Sequence, residues 1–359
     1  MRRLDSLNGY ASSSDDSETK QTSSSQQNAS KSATLAVLEN PLSGLNSRQP
    51  EALKQFCQDS GISHRTASTP EALQQQVREI LKNPPNILVI SGGDGTISAI
   101  LNVLESHSES ASLPALALLH GGSTNMIQHE IGLKGNPVKA LKNLLKETQN
   151  GISNNRIQWR SPFGVLDEND QSEQFGFFFA AGALSRVLHF CQETLTKKSI
   201  NGTAIEALAL LTVFLRLFVQ KKASGDIFHH DEIRWAQYKN GADNSSDASP
   251  STLDWYVGSH MFIYLTSLNR LLLGFDPKGR RDALKLVGYK YPFTRRGIFS
   301  YLVSRGRRGL KQESYNDSAD EYLLDFKGRW VLDGEFYGQP DAVSKLKIRT
   351  CKPLPFFVM

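Results

Sequence analysis

The chain has 359 residues, a hydrophobic content of 39% and a formal net charge of +5. This length exceeds the usual size of one domain and the apolar content is sufficient for packed cores, so we expect two domains. The three cysteines, Cys57, Cys191 and Cys351, lack paired spacing. This scatter argues against a disulfide framework or a structural zinc site and favours a reducing compartment.

The first 32 residues differ from the rest of the chain. They are rich in Ser, Gln, Asp and Asn and contain almost no apolar residue after Tyr10. Such a segment cannot bury enough surface to offset the conformational entropy lost on folding, so we expect a disordered tail over residues 1–32. Two arginines near the start are not followed by an apolar run, and we therefore expect no secretion signal.

Residues 33–155 alternate apolar strands with amphipathic helices. Buried strands are predicted at Leu35–Leu38, Ile87–Ile90 and Ala115–Leu119. Between the first two, segments 50–60 and 70–82 have apolar residues at helical spacing, and the second begins with a proline, as many helices do. This alternation predicts a doubly wound, Rossmann-like α/β domain.

Each of these three strands ends in a polar loop that contains glycine. The loops are Asn40–Gly44, Ser91–Thr96 and His120–Asn125. The carboxyl ends of parallel strands meet at one edge of a sheet, where such folds bind ligands. Glycine lets the backbone of the second loop approach an anion, and N–H groups of the helix predicted after it would point to the same place. We expect a phosphate-binding site there; the alternative is a tight strand-to-helix turn without a ligand.

Short β-type runs predominate after the helical pattern that ends near Glu147. They are Arg156–Trp159, Phe175–Ala180, Phe262–Thr266, Leu284–Val287, Leu323–Phe326 and Trp330–Leu332. These runs predict a second, mainly β domain over residues 156–340. A helical pattern over 195–220 would interrupt it, and the polar stretch 239–252 is predicted to be a mobile loop.

The segment 278–311 is strongly basic, with Asp282 as its only acidic residue. Aromatic and aliphatic residues lie between the cations, a pattern that favours contact with an anionic membrane surface, where each cation contributes about 1 kcal/mol. A solvated charged surface is the alternative. No nucleic-acid partner is expected, because no helix-turn-helix or RNA-binding signature is present. The apolar segment 207–219 is shorter than the ~20 residues that a transmembrane helix needs.

Four motifs in this order resemble the diacylglycerol kinase catalytic-domain family, in its bacterial soluble lipid kinase branch, which is related to sphingosine and ceramide kinases. The motifs are Asn40-Pro41-x-Ser43-Gly44, Gly92-Gly93-Asp94-Gly95-Thr96, Gly122-Ser123-Thr124-Asn125 and Leu332-Asp333-Gly334-Glu335. The second is shared with NAD kinases and echoed in phosphofructokinases, whereas the first and last favour a lipid kinase. The resemblance implies a phosphofructokinase-like first domain, a β-sandwich second domain, an active site in the cleft between them, and a segment 341–359 that returns to the first domain.

The resemblance also implies roles for individual residues. Because the chain has no Walker A sequence, the phosphates of ATP would be held by the loops already described. The implied nucleotide contacts are Asn40, Pro41, Ser43, Gly44, Thr66, Gly92, Gly93, Asp94, Gly95, Thr96, Ser123, Thr124 and Asn125. Phosphoryl transfer also needs a carboxylate that accepts the proton of the attacking hydroxyl.

Glu335 is the expected proton acceptor, with Asp333 and Asp94 as the other catalytic candidates. If the chain stays extended, Asp333 and Glu335 project to the same side, and two like charges held that close raise one pKa. The alternative is a strand end that happens to be acidic. The bacterial relatives hold a structural Mg²⁺ before a strand of the second domain, and Asp282 and Leu284 match that place.

Two departures from the family pattern stand out. Arg280 and Arg281 occupy positions beside the expected metal that are acidic in relatives, and Met126 follows Asn125 where relatives more often have aspartate. The expected function is an ATP- and Mg²⁺-dependent lipid kinase that phosphorylates a hydroxyl of diacylglycerol or a related lipid. We expect it in the cytoplasm with peripheral membrane contact. The alternatives are a NAD-kinase-like enzyme and a non-catalytic lipid- or nucleotide-binding regulator.

Overall fold

The structure is a computed structural model that describes most of the chain outside the N-terminal segment. The described residues are 33–48, 51–107, 113–122, 125–149, 151–189, 231–238, 254–271, 277, 279–280, 283–290 and 314–359. Several predictions fall elsewhere: the tail 1–32, the helical pattern 195–220, the loop 239–252, most of the basic segment 278–311, and Ser123, Thr124 and Asp282 all lie outside the described residues.

The first domain is built around a six-stranded sheet. Its strands are β1 (Leu35–Glu39), β2 (Ser63–Thr66), β3 (Ile87–Gly92), β4 (Ala115–His120), β5 (Ile157–Arg160) and β17 (Leu354–Phe357). Their order is β2-β1-β3-β4-β17-β5, and each neighbouring pair is parallel except β17 with β5. The three buried strands predicted in this domain are therefore confirmed, and their carboxyl ends lie at one edge of the sheet.

Five α-helices cover the two faces of this sheet. They are α1 (Ala52–Asp59), α2 (Pro70–Leu81), α3 (Asp94–Ser106), α4 (Met126–Ile131) and α5 (Pro137–Thr148). The sheet separates two cores, and alternate residues of β3 belong to different ones. Leu88 and Ile90 pack with α2, α3 and α4, whereas Ile87 and Val89 pack with α1 and α5. Strands buried on both faces are typical of a doubly wound fold, so the predicted fold class is confirmed. Within the described residues, no helix is long and apolar enough to cross a bilayer.

The second domain is one antiparallel sheet of eleven strands. The strands are β6 (Phe163–Asp167), β7 (Ser172–Gly176), β8 (Phe178–Gly182), β9 (Asp231–Tyr238), β10 (Tyr256–Thr266), β11 (Leu284–Lys290), β12 (Ser314–Ala319), β13 (Glu321–Lys327), β14 (Trp330–Leu332), β15 (Glu335–Tyr337) and β16 (Val343–Thr350). The main order is β15-β14-β8-β10-β9-β13-β16-β6-β7. Strands from opposite ends of this order, β14 and β6, contribute Trp330 and Phe163 to the same core, so the sheet folds over on itself.

The C-terminal segment divides between the two sheets. β16 pairs with β13 and β6 in the second sheet, and only β17 enters the first sheet, between β4 and β5. Burial explains the division, because β16 alternates exposed and buried residues whereas all four residues of β17 are buried. The returning segment therefore begins after Thr350 rather than at residue 341, and the first sheet includes β5, beyond the predicted boundary at residue 155.

The buried position of β17 leads to a prediction about the free energy of unfolding. Phe356 is fully buried among residues of β3, β4 and α3. We expect Phe356→Ala to lower the free energy of unfolding by about 3–5 kcal/mol, because it leaves a cavity that the surrounding strands cannot fill. Urea denaturation followed by circular dichroism measures the change. The matched control is Val343→Ala on β16, whose side chain is 54% exposed; equal losses in both variants would contradict the packing of β17.

Candidate active site

The polar loops that follow β1, β3 and β4 are held together by Asn46. Its side-chain Nδ2 donates to the carbonyl oxygens of Asn40 (2.9 Å) and Ser91 (3.1 Å), and its Oδ1 accepts from the Ser91 hydroxyl (3.1 Å). Its backbone N–H donates to the carbonyl of Gly121 at 3.2 Å. Sequence reasoning missed this buried residue, which lies just beyond the Asn-Pro-x-Ser-Gly motif. It satisfies backbone groups of two loops and thereby fixes their separation.

Glycine is needed where the loops after β3 and β4 touch. A Cβ atom on Gly122 would collide with Cα of Gly93, and one on Gly121 would lie 2.6 Å from the backbone nitrogen of Gly92. These neighbours are backbone atoms, which cannot turn away as a side chain can. Part of the glycine pattern is therefore explained by contact between loops, in addition to any contact with a ligand.

Small polar side chains of the first loop lie beside the first turn of α3. Asn40 Nδ2 donates to the hydroxyl of Thr96 at 3.0 Å, and the hydroxyl of Ser43 lies 3.5 Å from the same oxygen. The helix begins at Asp94, with Gly93 as its N-cap residue. The structure thus brings the predicted residues of the first two loops together at a helix N-terminus, where N–H groups favour an anion.

Asp94 faces the interior and not the open side of this loop. Its carboxylate accepts hydrogen bonds from the backbone N–H groups of Met126 (2.9 Å) and Ile127 (3.0 Å), at the start of α4. The side chain is 8% exposed. Burial raises the pKa of Asp94 to about 6, although the two backbone hydrogen bonds act in the opposite direction. Asp94 therefore joins the second loop to α4, and both of its oxygens are occupied.

Asp333 and Gly334 form a two-residue turn between β14 and β15. Both have positive φ, 48° and 93°, and Leu332 pairs with Glu335 across the hairpin. The expectation that residues 333–335 are extended, with both carboxylates on one side, is therefore wrong. An Asp-Gly pair between apolar strands is a strong hairpin signal and could have predicted this turn.

The turn directs Asp333 into the protein. Its carboxylate accepts from the N–H groups of Phe177 (3.0 Å) and Phe178 (2.9 Å), and it is 4% exposed. Burial, and secondly the negative charge of Asp94, raise the pKa of Asp333 well above its usual value. The like charge that acts on Asp333 thus comes from the first domain, which means that the two buried carboxylates lie near one another across the domain junction.

Glu335 is the exposed carboxylate of the three candidates. A Cβ atom placed on Gly95 would lie 2.7 Å from Glu335 Oε1, so this oxygen lies directly over the first turn of α3. Gly95 is therefore required for the close approach of the carboxylate. The second domain supplies one accessible acidic group to the glycine loop of the first.

Comparisons with known proteins concern the family and the fold of the chain. Residues 34–156 match the family model of the diacylglycerol kinase catalytic domain. The resemblance predicted from the sequence is confirmed. A search of curated protein sequences finds no match to the chain.

Solved structures from Bacillus anthracis str. Sterne share the fold of the first domain and of the β-rich domain. One, described as a putative diacylglycerol kinase, has 14% identity and a TM-score of 0.60; the similarity covers 92% of this chain and 98% of that one. Another, described as a diacylglycerol kinase, has 13% identity, a TM-score of 0.58 and the same coverage. At this level of identity the similarity shows a common two-domain fold.

Asn125 makes hydrogen bonds within the third loop of the first domain. This residue has a φ of 51°; its Oδ1 accepts from the N–H of Gly122 (2.8 Å) and its Nδ2 donates to the carbonyl of the same glycine (2.7 Å). Both ends of the amide are used within the loop, so Asn125 shapes it. Gln128, which sequence reasoning missed, donates from Nε2 to the carbonyl of Gly92 at 2.9 Å and ties α4 to the second loop.

The remaining predicted residues are placed less centrally. Thr66 ends β2 at the same edge of the sheet, and no described hydrogen bond joins it to the glycine loops. Pro41 and Gly44 lie in the turn after β1. Leu284 begins β11 and packs its side chain into the second core, which leaves only its carbonyl for a cation. Within the described part of the chain, no group of three or more His, Cys, Asp or Glu side chains is arranged to hold a metal.

A cavity of about 520 Å³ lies behind the third loop of the first domain. Its lining includes His120, Gln128, Lys134 and Arg156, and none of the predicted site residues. Burial lowers the pKa of His120, whose Nδ1 lies 2.9 Å from the carbonyl of Leu133. The cavity therefore shares His120 and Gln128 with the loops described above, and none of the three candidate carboxylates lines it.

Asn46 provides a test of how the loops are held. We expect Asn46→Ala to lower the free energy of unfolding by about 2–3 kcal/mol, because it removes the side-chain hydrogen bonds to the carbonyls of Asn40 and Ser91 and to the Ser91 hydroxyl. The control is Asn83→Ala, at an exposed position after α2. Urea unfolding of both variants measures the effect, and a similar small change in each would show that Asn46 does not hold the loops.

Asp94 gives the stability of the first domain a pH dependence of defined sign. The pKa of Asp94 is about 6 in the folded protein and near 3.8 in the unfolded chain, so between these two pKa values the folded state binds more protons than the unfolded state. The stability that Asp94 contributes is fully present below the unfolded pKa and is lost as the pH rises through the folded pKa. The stability advantage of wild type over Asp94→Asn should therefore shrink by about 2–3 kcal/mol between about pH 4 and pH 7. Urea unfolding across this range measures it; a constant difference would contradict the buried position of Asp94.

Proposed function

We propose that this protein is an ATP-dependent lipid kinase that transfers the γ-phosphoryl group to a hydroxyl of diacylglycerol or a related lipid. The observation that carries the proposal is that the exposed carboxylate of Glu335 lies over Gly95. Gly95 belongs to the region that matches the family model of the diacylglycerol kinase catalytic domain. A base at this place is within reach of a hydroxyl that approaches an anion bound at the N-terminus of α3.

The nucleotide phosphates would bind at the edge formed by the first two loops. The N–H groups at the start of α3 supply donors, and Asn40, Ser43 and Thr96 add small polar groups beside them. No lysine or arginine is present in Ser91–Thr96, so the loop lacks the cation that a Walker A motif carries.

This shortage of positive charge fits the use of a divalent cation, since the nearby groups are hard oxygen donors of the type that Mg²⁺ prefers. The hydroxyls of Ser43 and Thr96 are the groups that would hold it together with the phosphates. When bound, Mg²⁺ neutralises the phosphate charge.

Glu335 would accept the proton of the lipid hydroxyl while the hydroxyl oxygen bonds to the γ-phosphorus. The bond between the γ-phosphorus and the bridging oxygen of the nucleoside diphosphate breaks in the same step. Asp94 and Asp333 do not suit this role, because each already accepts two or more backbone hydrogen bonds in the interior. Their part is to position: Asp94 holds α4 against the second loop, and Asp333 holds the hairpin that carries Glu335. The cations of the basic segment 278–311 that lie outside the buried part of β11, residues 284–289, would bring the protein to an anionic membrane, an element of the proposal that rests on the sequence.

Glu335→Gln tests the proposal directly. We expect its turnover to fall by about 10²–10⁴-fold, because the amide cannot accept a proton, while nucleotide binding is retained since the loops are unchanged. The assay incubates each protein with labelled ATP, Mg²⁺, NAD and a total lipid extract, and measures label in the organic phase and in NADP. Glu168→Gln, at an exposed position after β6, is the matched control.

Other outcomes of this assay have defined meanings. Undiminished turnover in Glu335→Gln would remove Glu335 from the reaction. Label transferred to NAD instead of lipid would identify a NAD-kinase-like enzyme. A wild-type protein that binds nucleotide but labels neither acceptor would favour a non-catalytic regulator.

A further inference from the structure

Lys285 is a buried cation at the junction of the two domains. It lies on β11 and is 1% exposed. A lysine is almost never buried to this extent unless its ammonium group has polar partners, because removal of the charge from water is costly. The position of this side chain therefore needs an explanation from its surroundings.

The partners of the ammonium lie in the segment that follows β10. Lys285 Nζ donates to the carbonyl of Leu268 at 3.0 Å and to Oδ1 of Asn269 at 3.0 Å. Leu268 itself packs its side chain into the first-domain core, beside residues of α3 and α4. The ammonium thus binds a segment that connects the two domains.

The same segment is held from its other side by Glu130 of α4. Glu130 accepts hydrogen bonds from the N–H groups of Asn269 (2.7 Å) and Arg270 (3.0 Å) and from Nδ2 of Asn269 (3.1 Å). Residues 268–270 therefore lie between a carboxylate of the first domain and an ammonium of the second. Glu130 is on the helix whose first N–H groups bind Asp94, so this arrangement leads to the glycine loop.

In the sequence, Lys285 comes directly after Asp282 and Leu284, the residues at which the family resemblance implies a structural Mg²⁺. A main-chain carbonyl and an amide oxygen are ligands that such an ion would take. Here an ammonium binds two oxygens of this kind, and a divalent cation beside it would meet electrostatic repulsion. The described residues at this junction therefore do not fit the implied metal.

We propose that Lys285 supplies this junction with a permanent cation in place of a divalent metal, and that it holds residues 268–270 against Glu130. Lys285 is a positioning residue in this role, since its effect on the glycine loop passes through Glu130 and α4. The proposal concerns the chain's own charges and does not depend on the identity of the phosphoryl acceptor.

The test compares the wild type with Lys285→Met and Lys285→Asp. Thermal unfolding of the wild type should have the same midpoint in EDTA and in Mg²⁺, without nucleotide, and the protein should retain no Mg²⁺ after gel filtration. Lys285→Met keeps an apolar stem but loses the ammonium, so its midpoint should fall by about 5 °C or more, with or without Mg²⁺. Lys345→Met, at an exposed position of β16, is the control and should match the wild type.

Lys285→Asp separates a specific cation role from general packing. It replaces the ammonium with a carboxylate among oxygen ligands, so its midpoint should be low in EDTA and should rise when Mg²⁺ or Ca²⁺ is added. A wild type that contains stoichiometric Mg²⁺ and loses stability in EDTA would overturn the proposal, and so would a Lys285→Met variant as stable as the wild type. If Lys285→Asp does not fold, the metal content of the wild type and its response to EDTA decide the question alone.

Discussion

The rest of the site depends on two buried carboxylates, one in each domain, that are held by backbone N–H groups. Asp94 of the first domain binds the start of α4, and Asp333 of the second binds the N–H groups of Phe177 and Phe178. Their burial is costly, and the negative charge of Asp94 disfavours ionisation of Asp333. The hydrogen bonds that offset this cost lie within each domain, so those of Asp94 fix α4 against the second loop and those of Asp333 fix the hairpin between β14 and β15. Because Glu335 follows Asp333 across this tight hairpin, the anchoring of Asp333 also sets where the exposed carboxylate lies.

The glycine loops are constrained in a second way, by contact with one another. Gly93 and Gly122 touch through main-chain atoms, while Asn46 and Gln128 satisfy carbonyl oxygens that this contact leaves in the interior. The described residues of these loops therefore hold one another, and the N-terminus of α3 is already in place beside them. A preformed arrangement of this kind would suit the phosphoryl transfer proposed above, in which catalysis is mainly positioning and electrostatic stabilisation.

Local pattern was sufficient to predict β1, β3 and β4 and the helices α1, α2 and α3, because β3 and β4 are continuous apolar runs and α2 has apolar residues at helical spacing. The polar strand β2 was not predicted, and the run that forms β5 was assigned to the second domain. Local pattern was also sufficient to bring the glycine loops to one edge. It did not predict that β17 lies between β4 and β5, since partners so distant in sequence leave no local signal. The buried roles of Asp94 and Asp333 were equally inaccessible: a carboxylate at a loop is compatible with solvent, substrate or backbone N–H groups, and only the tertiary structure distinguishes them.

At the domain junction, the covalently attached ammonium of Lys285 differs from a bound Mg²⁺ in one respect. A bound Mg²⁺ exchanges with solvent, so a junction that relied on it would weaken whenever the free ion became scarce. An ammonium carried by β11 cannot dissociate. Its hydrogen bonds to Leu268 and Asn269 make the contact with Glu130 a property of the folded chain itself. Since Glu130 and Asp94 act on the same short helix, α4, a permanent cation at Lys285 keeps the geometry of the glycine loop independent of metal supply, and confines any metal dependence to the cleft where the phosphates would bind.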